Sequence, residues 1–204
     1  MPEIQSSALT ASHEATCCNE ESLFQSEMVK ISVPKETSKR LPLKRAVCLA
    51  KKAARKRQSR LTFSQSTTVR SAQLVYWPYW LGMIQTEKDR PIFGPRRIIY
   101  YTIGDAVAGG HVVVKAMPDF EEYMVSSHLL VPFDQGIDAF QRELAIVQKE
   151  EIPKLFIFGP PKQKLEKVRL IYCPYWEVSF ISKKEQALRE VAYINAFNGS
   201  ARTC

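Results

Sequence analysis

The chain has 204 residues, 45% of them hydrophobic and 10% aromatic, which is enough for one ordinary domain or two small ones with a real core. The formal net charge is +8, but residues 29–70 hold 13 Lys and Arg against one acid, so the remainder carries −4. Such a basic arm attracts nucleic acid, anionic lipid or an acidic partner protein. No apolar run approaches the roughly 18 residues of a membrane-spanning helix, and residues 1–18 lack the pattern of a secretory signal, so we expect a cytoplasmic protein.

The cysteine and histidine patterns do not indicate catalysis or metal binding. The five cysteines are scattered and form no Cys-x-x-Cys pair, so we expect reduced thiols and no zinc site. Gly-x-Ser-x-Gly, Walker A, His-Glu-x-x-His and Gly-x-Gly-x-x-Gly motifs are all missing from the sequence. We therefore predict a protein that is not an enzyme, with no catalytic residue and no cofactor.

A basic amphipathic helix is the first predicted element. Residues 1–38 are polar and without periodicity, so we predict a disordered tail. From Leu41 to Arg57, apolar residues recur at helical spacing with cations between them, and Pro42 suits a first helical turn. This face either contacts phosphate or an acidic protein, or is a solvated surface whose apolar stripe packs on a sheet. The predicted apolar stripe is Leu43, Val47, Ala50 and Ala54, and the densest cationic patch, our candidate binding residues, is Lys51, Lys52, Arg55, Lys56 and Arg57.

Strands and a second helix follow. The second helix is predicted to start with Asp134 as N-cap and to end before Pro153, with a buried stripe of Ile137, Phe140, Leu144 and Val147. The segment GDAVAGG reads as a hairpin turn rather than a phosphate-binding loop. Predicted strands lie at 61–63, 72–84, 96–103, 111–117, 154–159, 167–180 and 189–197.

The two halves of the chain resemble each other. VYWPYW at 75–80 matches IYCPYW at 171–176 with an offset of 96 residues. Asp105, Ala106 and Gly109 match Asn195, Ala196 and Gly199 with an offset of 90. We therefore predict an α+β fold with two similar αβββ units, at 39–125 and 126–204, packed together as an antiparallel sheet covered on one face by helices.

A helix followed by strands that end in Asp-Ala-x-x-Gly resembles the PepSY repeat, over Leu41–Val114 and Asp134–Arg202. The resemblance implies a non-catalytic, cystatin-like α+β module that binds or regulates another protein. It assigns no role to any individual residue of this chain.

The repeated motif divides into two kinds of residue. Alternation after the motif places Trp80 and Trp176 inward, and Pro78 and Pro174 predict an edge strand or a bulge. Trp77 is matched by Cys173 in the second copy, which makes it a candidate for an exposed, copy-specific contact. We predict a protein-interaction or adaptor module that binds through the sheet or the groove between units. The alternative is a nucleic-acid-binding protein that uses the basic helix and Trp77.

Overall fold

The computed structural model describes residues 27–35, 40–57, 67–90, 92–157, 159–182 and 188–203. The strand predicted at 61–63 and most of the predicted tail lie outside these residues. The described elements are β1 (Met28–Pro34), α1 (Leu43–Arg57), β2 (Thr67–Lys88), β3 (Arg96–Asp105), β4 (His111–Val114), β5 (Phe120–Ser126), a 3-10 turn (Ser127–Leu129), α2 (Ile137–Ile146) continued by a π-helical turn (Val147–Glu151), a 3-10 turn (Pro153–Leu155), β6 (Lys162–Ser182), β7 (Leu188–Asn195) and β8 (Ala201–Thr203).

A six-stranded antiparallel sheet forms the body of the fold, in the order β4-β3-β2-β6-β7-β8. Its two central strands, β2 and β6, have 22 and 21 residues and pair with each other along almost their whole length. Both are rich in the β-branched and aromatic residues that favour a pleated, half-buried surface. The prediction of an α+β fold with a mostly antiparallel sheet is confirmed.

The sheet has closely similar arrangements on either side of its centre. Trp77 pairs directly with Cys173, the residue 96 positions later, so the centre of the ladder lies between these two. Both end turns are built alike, since Asp105 Oδ1 accepts the N–H groups of residues 107 and 108, and Asn195 Oδ1 accepts those of residues 197 and 198. Strands β3 and β4 therefore flank β2 in the same way that β7 and β8 flank β6.

Between residues 72–84 of β2 and 168–180 of β6, the even-numbered side chains face the helices and the β1–β5 pair, and the odd-numbered ones face the opposite side, as expected for a pleated strand. The buried residues of α1 are three alanines, which allow a close approach to β6, β7 and β8. Helix α2 packs Phe140 and Leu144 over glycines of β2 and β3. A small sheet of β1 and β5 covers Tyr76 and Tyr172 in the centre.

Each helix is anchored by a tryptophan of the repeated motif. Trp80 Nε1 donates to the carbonyl of Gln135, just before α2, and Trp176 Nε1 donates to the carbonyl of Leu41, just before α1. Both distances are 2.8 Å and both indoles are half-buried. The first helix in sequence therefore packs on the second group of strands, and the second helix packs on the first group.

Several predictions about individual elements were wrong or incomplete; the second helix, for example, has Gly136 and not Asp134 as its N-cap. Residues 28–34 of the predicted disordered tail form β1, because Ile31 and Val33 are buried against the central tyrosines. The described residues of the predicted strand 154–159 do not form a strand, since Pro153 starts a 3-10 turn that includes Lys154 and Leu155. Leu43 and Ile137, assigned to the buried helix stripes, are exposed.

Pro78 and Pro174 lie in central strands rather than at an edge, and the register does not shift at either residue. Each proline carbonyl accepts a hydrogen bond from the turn that follows the neighbouring strand, at Ala106 and Ala196. A residue in an antiparallel strand points its N–H and C=O to the same side. The missing N–H of each proline therefore faces a place where the neighbouring strand has already ended, so no ladder bond is lost.

We expect Gly104→Ala to destabilise the fold, because a Cβ there would lie 2.5 Å from Phe140 Cε2 in the buried interface between β3 and α2. The free energy of unfolding should fall by about 1–3 kcal/mol in urea titrations. Gly136→Ala is the control, since nothing lies within 4 Å of its Cβ position. Equal losses in the two variants would contradict this packing.

Candidate functional site

The outward face of α1 carries a row of cations along the whole helix. Positions 44 to 56 span about 18 Å of helix axis at the rise of an α-helix. The side chain of Arg57, the remaining predicted patch residue, is not described. We call the following exposed residues the α1 basic face: Lys44, Arg45, Lys51, Lys52, Arg55 and Lys56, with the exposed Cys48 among them.

Among the described residues, no carboxylate lies within ion-pair distance of these six cations. Lys51 and Arg55, like Lys52 and Lys56, are four positions apart, so like charges repel along the helix. The helix dipole offsets part of this repulsion in the last turn only. The α1 basic face therefore adds little to the stability of the fold and leaves a concentrated positive charge in solvent.

Helix α2 provides an internal comparison. It packs on the same sheet, and Trp80 anchors its start as Trp176 anchors the start of α1. Residues 137–151 nevertheless contain four acids and two cations. The scaffold thus accepts an acidic helix in the related position. The positive charge of α1 is not required by the packing of a helix on this sheet.

Trp77, predicted as an exposed contact, is buried with 2% of its surface accessible. Its Nε1 donates to Asp105 Oδ1 at 3.0 Å, and its ring contacts Tyr193 edge-on with centroids 5.0 Å apart. It lies on the face of the sheet opposite α1, in a different core cluster. The structure therefore does not bring Trp77 together with the basic helix, and the prediction that Trp77 is exposed is wrong.

An arginine that the sequence analysis did not single out completes this cluster. Arg202 of β8 forms an ion pair with Asp105 of β3, and its guanidinium lies 5.2 Å from the ring centroid of Trp77 and 5.5 Å from that of Tyr79. Three strands separate β3 from β8, which in a flat sheet would place them about 19 Å apart. The sheet must therefore coil around this face, and the Asp105–Arg202 pair joins its two halves.

Asp105 and Asn195 show what is shared and what is specific in the two turns. Both use Oδ1 to cap their own turn, so an amide is sufficient for that role. Asp105 uses its second oxygen for Arg202, which requires a charge. The replacement of Asp105 by Asn195 in the matched turn is the feature of the sequence that could have indicated an ion pair at Asp105.

The remaining polar groups of the cluster are neutral. The hydroxyls of Tyr79 and Tyr175 are 2.7 Å apart, and burial raises the pKa of both phenols. Burial also raises the pKa of the Cys173 thiol to about 12. A thiol or phenol with such a raised pKa is a poor nucleophile at neutral pH, so these groups have the properties of a core rather than of a reactive centre.

His111 lies between two carboxylates at one edge of the sheet. Its Nε2 is 2.7 Å from Glu151 and its Nδ1 is 3.4 Å from Glu143, next to a cavity of about 400 Å³ lined partly by Tyr100 and Lys115. These contacts connect β4 to α2 and its π-helical turn. The preceding GDAVAGG segment forms the predicted hairpin turn. No group of three or more potential metal ligands occurs within the described ranges.

The protein itself occupies much of the sheet surface that we expected to bind a protein partner. One face of the sheet is covered by α1, α2 and the β1–β5 pair, and the centre of the other is filled by the aromatic cluster around Trp77. The described surfaces that stand out are the α1 basic face and the exposed turns around Phe93 and Ile157.

No family model, curated protein or solved structure matches this chain. None of the helices in the described part of the chain is long and apolar enough to cross a membrane. The resemblance to the PepSY repeat stays a prediction.

We expect Asp105→Asn to lower the free energy of unfolding by about 1–3 kcal/mol, because the turn keeps its cap while Arg202 loses its partner in a largely buried place. Urea denaturation measures this loss. In an Arg202→Met background the same substitution should cost less than about 0.5 kcal/mol. The same cost in both backgrounds would show that the ion pair contributes nothing.

We expect iodoacetamide at pH 8 to modify Cys48 in the folded protein and to leave Cys173 unmodified. Only about one Cys173 thiol in ten thousand is a thiolate at that pH, given its pKa of about 12. Peptide mapping by mass spectrometry follows each cysteine separately, and unfolding in urea should expose Cys173 to the reagent. Equal modification rates in the folded protein would contradict the raised pKa of the half-buried Cys173.

Proposed function

We propose that this protein is a non-enzymatic interaction module that holds the phosphate backbone of nucleic acid on the α1 basic face. The observation that supports this is the row of six exposed cations without a carboxylate partner among the described residues. Polyanions bind such a face because they release condensed counterions when cations replace them.

The chemistry of the α1 basic face favours phosphate over a protein partner. Protein interfaces concentrate their binding energy in buried aromatic and apolar anchors. Between Lys44 and Lys56 the exposed positions are cationic apart from Cys48, so such an anchor is missing from this helix face. Contacts to a phosphate backbone need positive charge and donors alone.

The buried position of Trp77 changes the expected mode of binding. A single-strand binder normally stacks bases on exposed aromatic rings near its basic groove. Trp77 is in the core, so α1 is left to contact phosphates without reading bases. We expect binding with little sequence preference to single and double strands, with strong dependence on salt.

Duplication of an ancestral unit accounts for this arrangement. The matched registers around Trp77 and Cys173, the equivalent turns at Asp105 and Asn195, and the two tryptophan anchors support a common αβββ ancestor for both units. In that case the two helices diverged in charge while their packing was retained. The basic helix is then the part that acquired a binding role.

The test is fluorescence anisotropy with a labelled 20-nucleotide RNA and a 20-base-pair DNA. If about four cations meet phosphates, the affinity for DNA should fall about a hundredfold between 50 and 200 mM KCl. A variant with Lys51→Glu, Lys52→Glu, Arg55→Glu and Lys56→Glu should lose this binding. Circular dichroism verifies that its helix content is unchanged.

The matched control reverses four exposed cations elsewhere, with Lys115→Glu, Arg142→Glu, Lys149→Glu and Lys167→Glu. This variant has the same net charge as the α1 variant and should bind within about threefold of the wild type, allowing for long-range charge effects. Bound nucleic acid should also protect Cys48 from iodoacetamide. Equal affinities of the two variants, or tighter binding of an acidic polypeptide than of nucleic acid, would overturn the proposal.

A further inference from the structure

Two turns of this protein have the same sequence and the same backbone feature. Ile-Phe-Gly-Pro occurs at 92–95, between β2 and β3, and again at 157–160, before β6. Gly94 has a φ of 71° and Gly159 a φ of 73°, a left-handed conformation that glycine adopts without strain. The two matching segments are 65 residues apart, an offset that differs from that of the αβββ units.

The two turns lie next to each other at one end of the central ladder. Lys88 Nζ donates to the carbonyl of Gly159 at 3.1 Å, and Lys162 forms an ion pair with Asp89 at 3.5 Å. Glu87 and Lys162 are paired residues of β2 and β6. The tertiary structure thus combines two separate sequence segments into a single surface.

The apolar side chains of these turns point into solvent. Ile92 is 84% exposed, Phe93 76% and Ile157 92%, whereas the other exposed large hydrophobic residues among those described reach at most 58%. We call these three residues the apolar tip. Side chains of this size are usually buried, and a cluster of them on the surface marks an interaction site.

Cations surround the apolar tip. Residues 87–97 and 154–166 contain seven Lys and Arg and three carboxylates. Each carboxylate pairs with one cation, in Arg97–Glu87, Lys162–Asp89 and Lys164–Glu166, which leaves an excess of four positive charges. These cations lie in the same two turns as the exposed Ile and Phe side chains and in the strand ends that flank them.

We propose that the apolar tip inserts into the interface of an anionic lipid bilayer while the surrounding cations contact the phosphate headgroups. Exposed apolar side chains with cations beside them suit a bilayer surface, where acyl chains and phosphate headgroups are adjacent. Anionic lipids attract each Lys and Arg close to the surface. The positive excess also opposes a dimer of two copies through their tips.

The local geometry suits this role. Arg90 lies over the ring of Phe93 at 5.7 Å and donates to the carbonyl of Gly94, so a cation is held beside the aromatic ring. Gly94 lies in the turn that reverses the chain between β2 and β3, next to the exposed Ile92 and Phe93.

The apolar tip and the α1 basic face are far apart, so the two proposals are independent. Helix α1 packs against Ala72, near the start of β2, while the tip follows Lys88 at its end. Sixteen residues of extended strand cover about 50 Å along the chain. Loss of one binding activity should leave the other intact.

The test is flotation of the full chain with vesicles of phosphatidylcholine containing about 30% phosphatidylserine, compared with pure phosphatidylcholine. The wild type should bind the anionic vesicles and should bind neutral vesicles much more weakly. Ile92→Asp with Ile157→Asp should weaken binding by about tenfold or more, because two inserted side chains are lost. In an Ile157→Trp variant, the tryptophan emission should shift to the blue when anionic vesicles are added.

The matched control is Met28→Asp with Met124→Asp, which removes two exposed apolar side chains from β1 and β5 and adds the same charge. It should bind vesicles within about threefold of the wild type. The α1 charge reversal, introduced into the Ile157→Trp variant, should leave the blue shift in place even though it abolishes nucleic-acid binding. Unchanged vesicle binding by the tip variant, equal binding to neutral vesicles, or tip-dependent dimerisation or binding of an acidic protein without vesicle binding would overturn the proposal.

Discussion

The antiparallel ladder between β2 and β6 is the constraint on which most of the described structure depends. Because the two strands pair with Trp77 opposite Cys173, equivalent residues are placed symmetrically about one point. Alternation along the strands then assigns one set of side chains to the helix layer and the other to the aromatic cluster. The ladder also carries the turns at its ends, so it determines which surfaces are close together and which are far apart.

The cluster around Trp77 shows how an aromatic-rich motif can be structural. Coiling of the sheet brings β8 close to β3, and the space between them is filled by rings, a guanidinium and a carboxylate. A charge in such a place is tolerated because it is paired and lies against aromatic faces. The phenols and the Cys173 thiol stay protonated there because burial disfavours their charged forms.

The binding surfaces that we propose are both at places where the fold does not require the residues found. The cations of α1 are absent from α2, which packs in a related way. The exposed isoleucines and phenylalanine of the apolar tip contribute nothing to the core. Side chains that repel one another or expose apolar surface cost stability, so their clustering on two separate surfaces is best explained by partners.

Local sequence patterns determined the helices, the long strands and the repeated motif, since periodicity and residue type act over a few neighbouring residues. The helix α1, the second helix and the strands around 72–84, 96–103, 167–180 and 189–197 follow from them. The short β1, β5 and β8 were missed, because each depends on pairing with another strand rather than on a pattern in its own few residues.

The tertiary structure decided the rest. Burial of Trp77 depends on Arg202 and Tyr193, which are more than 100 residues away, so its environment could not be read from the replacement by Cys173 alone. Pro78 is tolerated in a central strand because the pairing of β2 with β3 ends at Tyr79 and Asp105, so the missing N–H of the proline faces no ladder partner. The apolar tip exists because the ladder brings residues 92–95 and 157–160 together. Sequence by itself determined which segments are helical, extended or charged, whereas long-range strand pairing decided which of their side chains remain available to a partner.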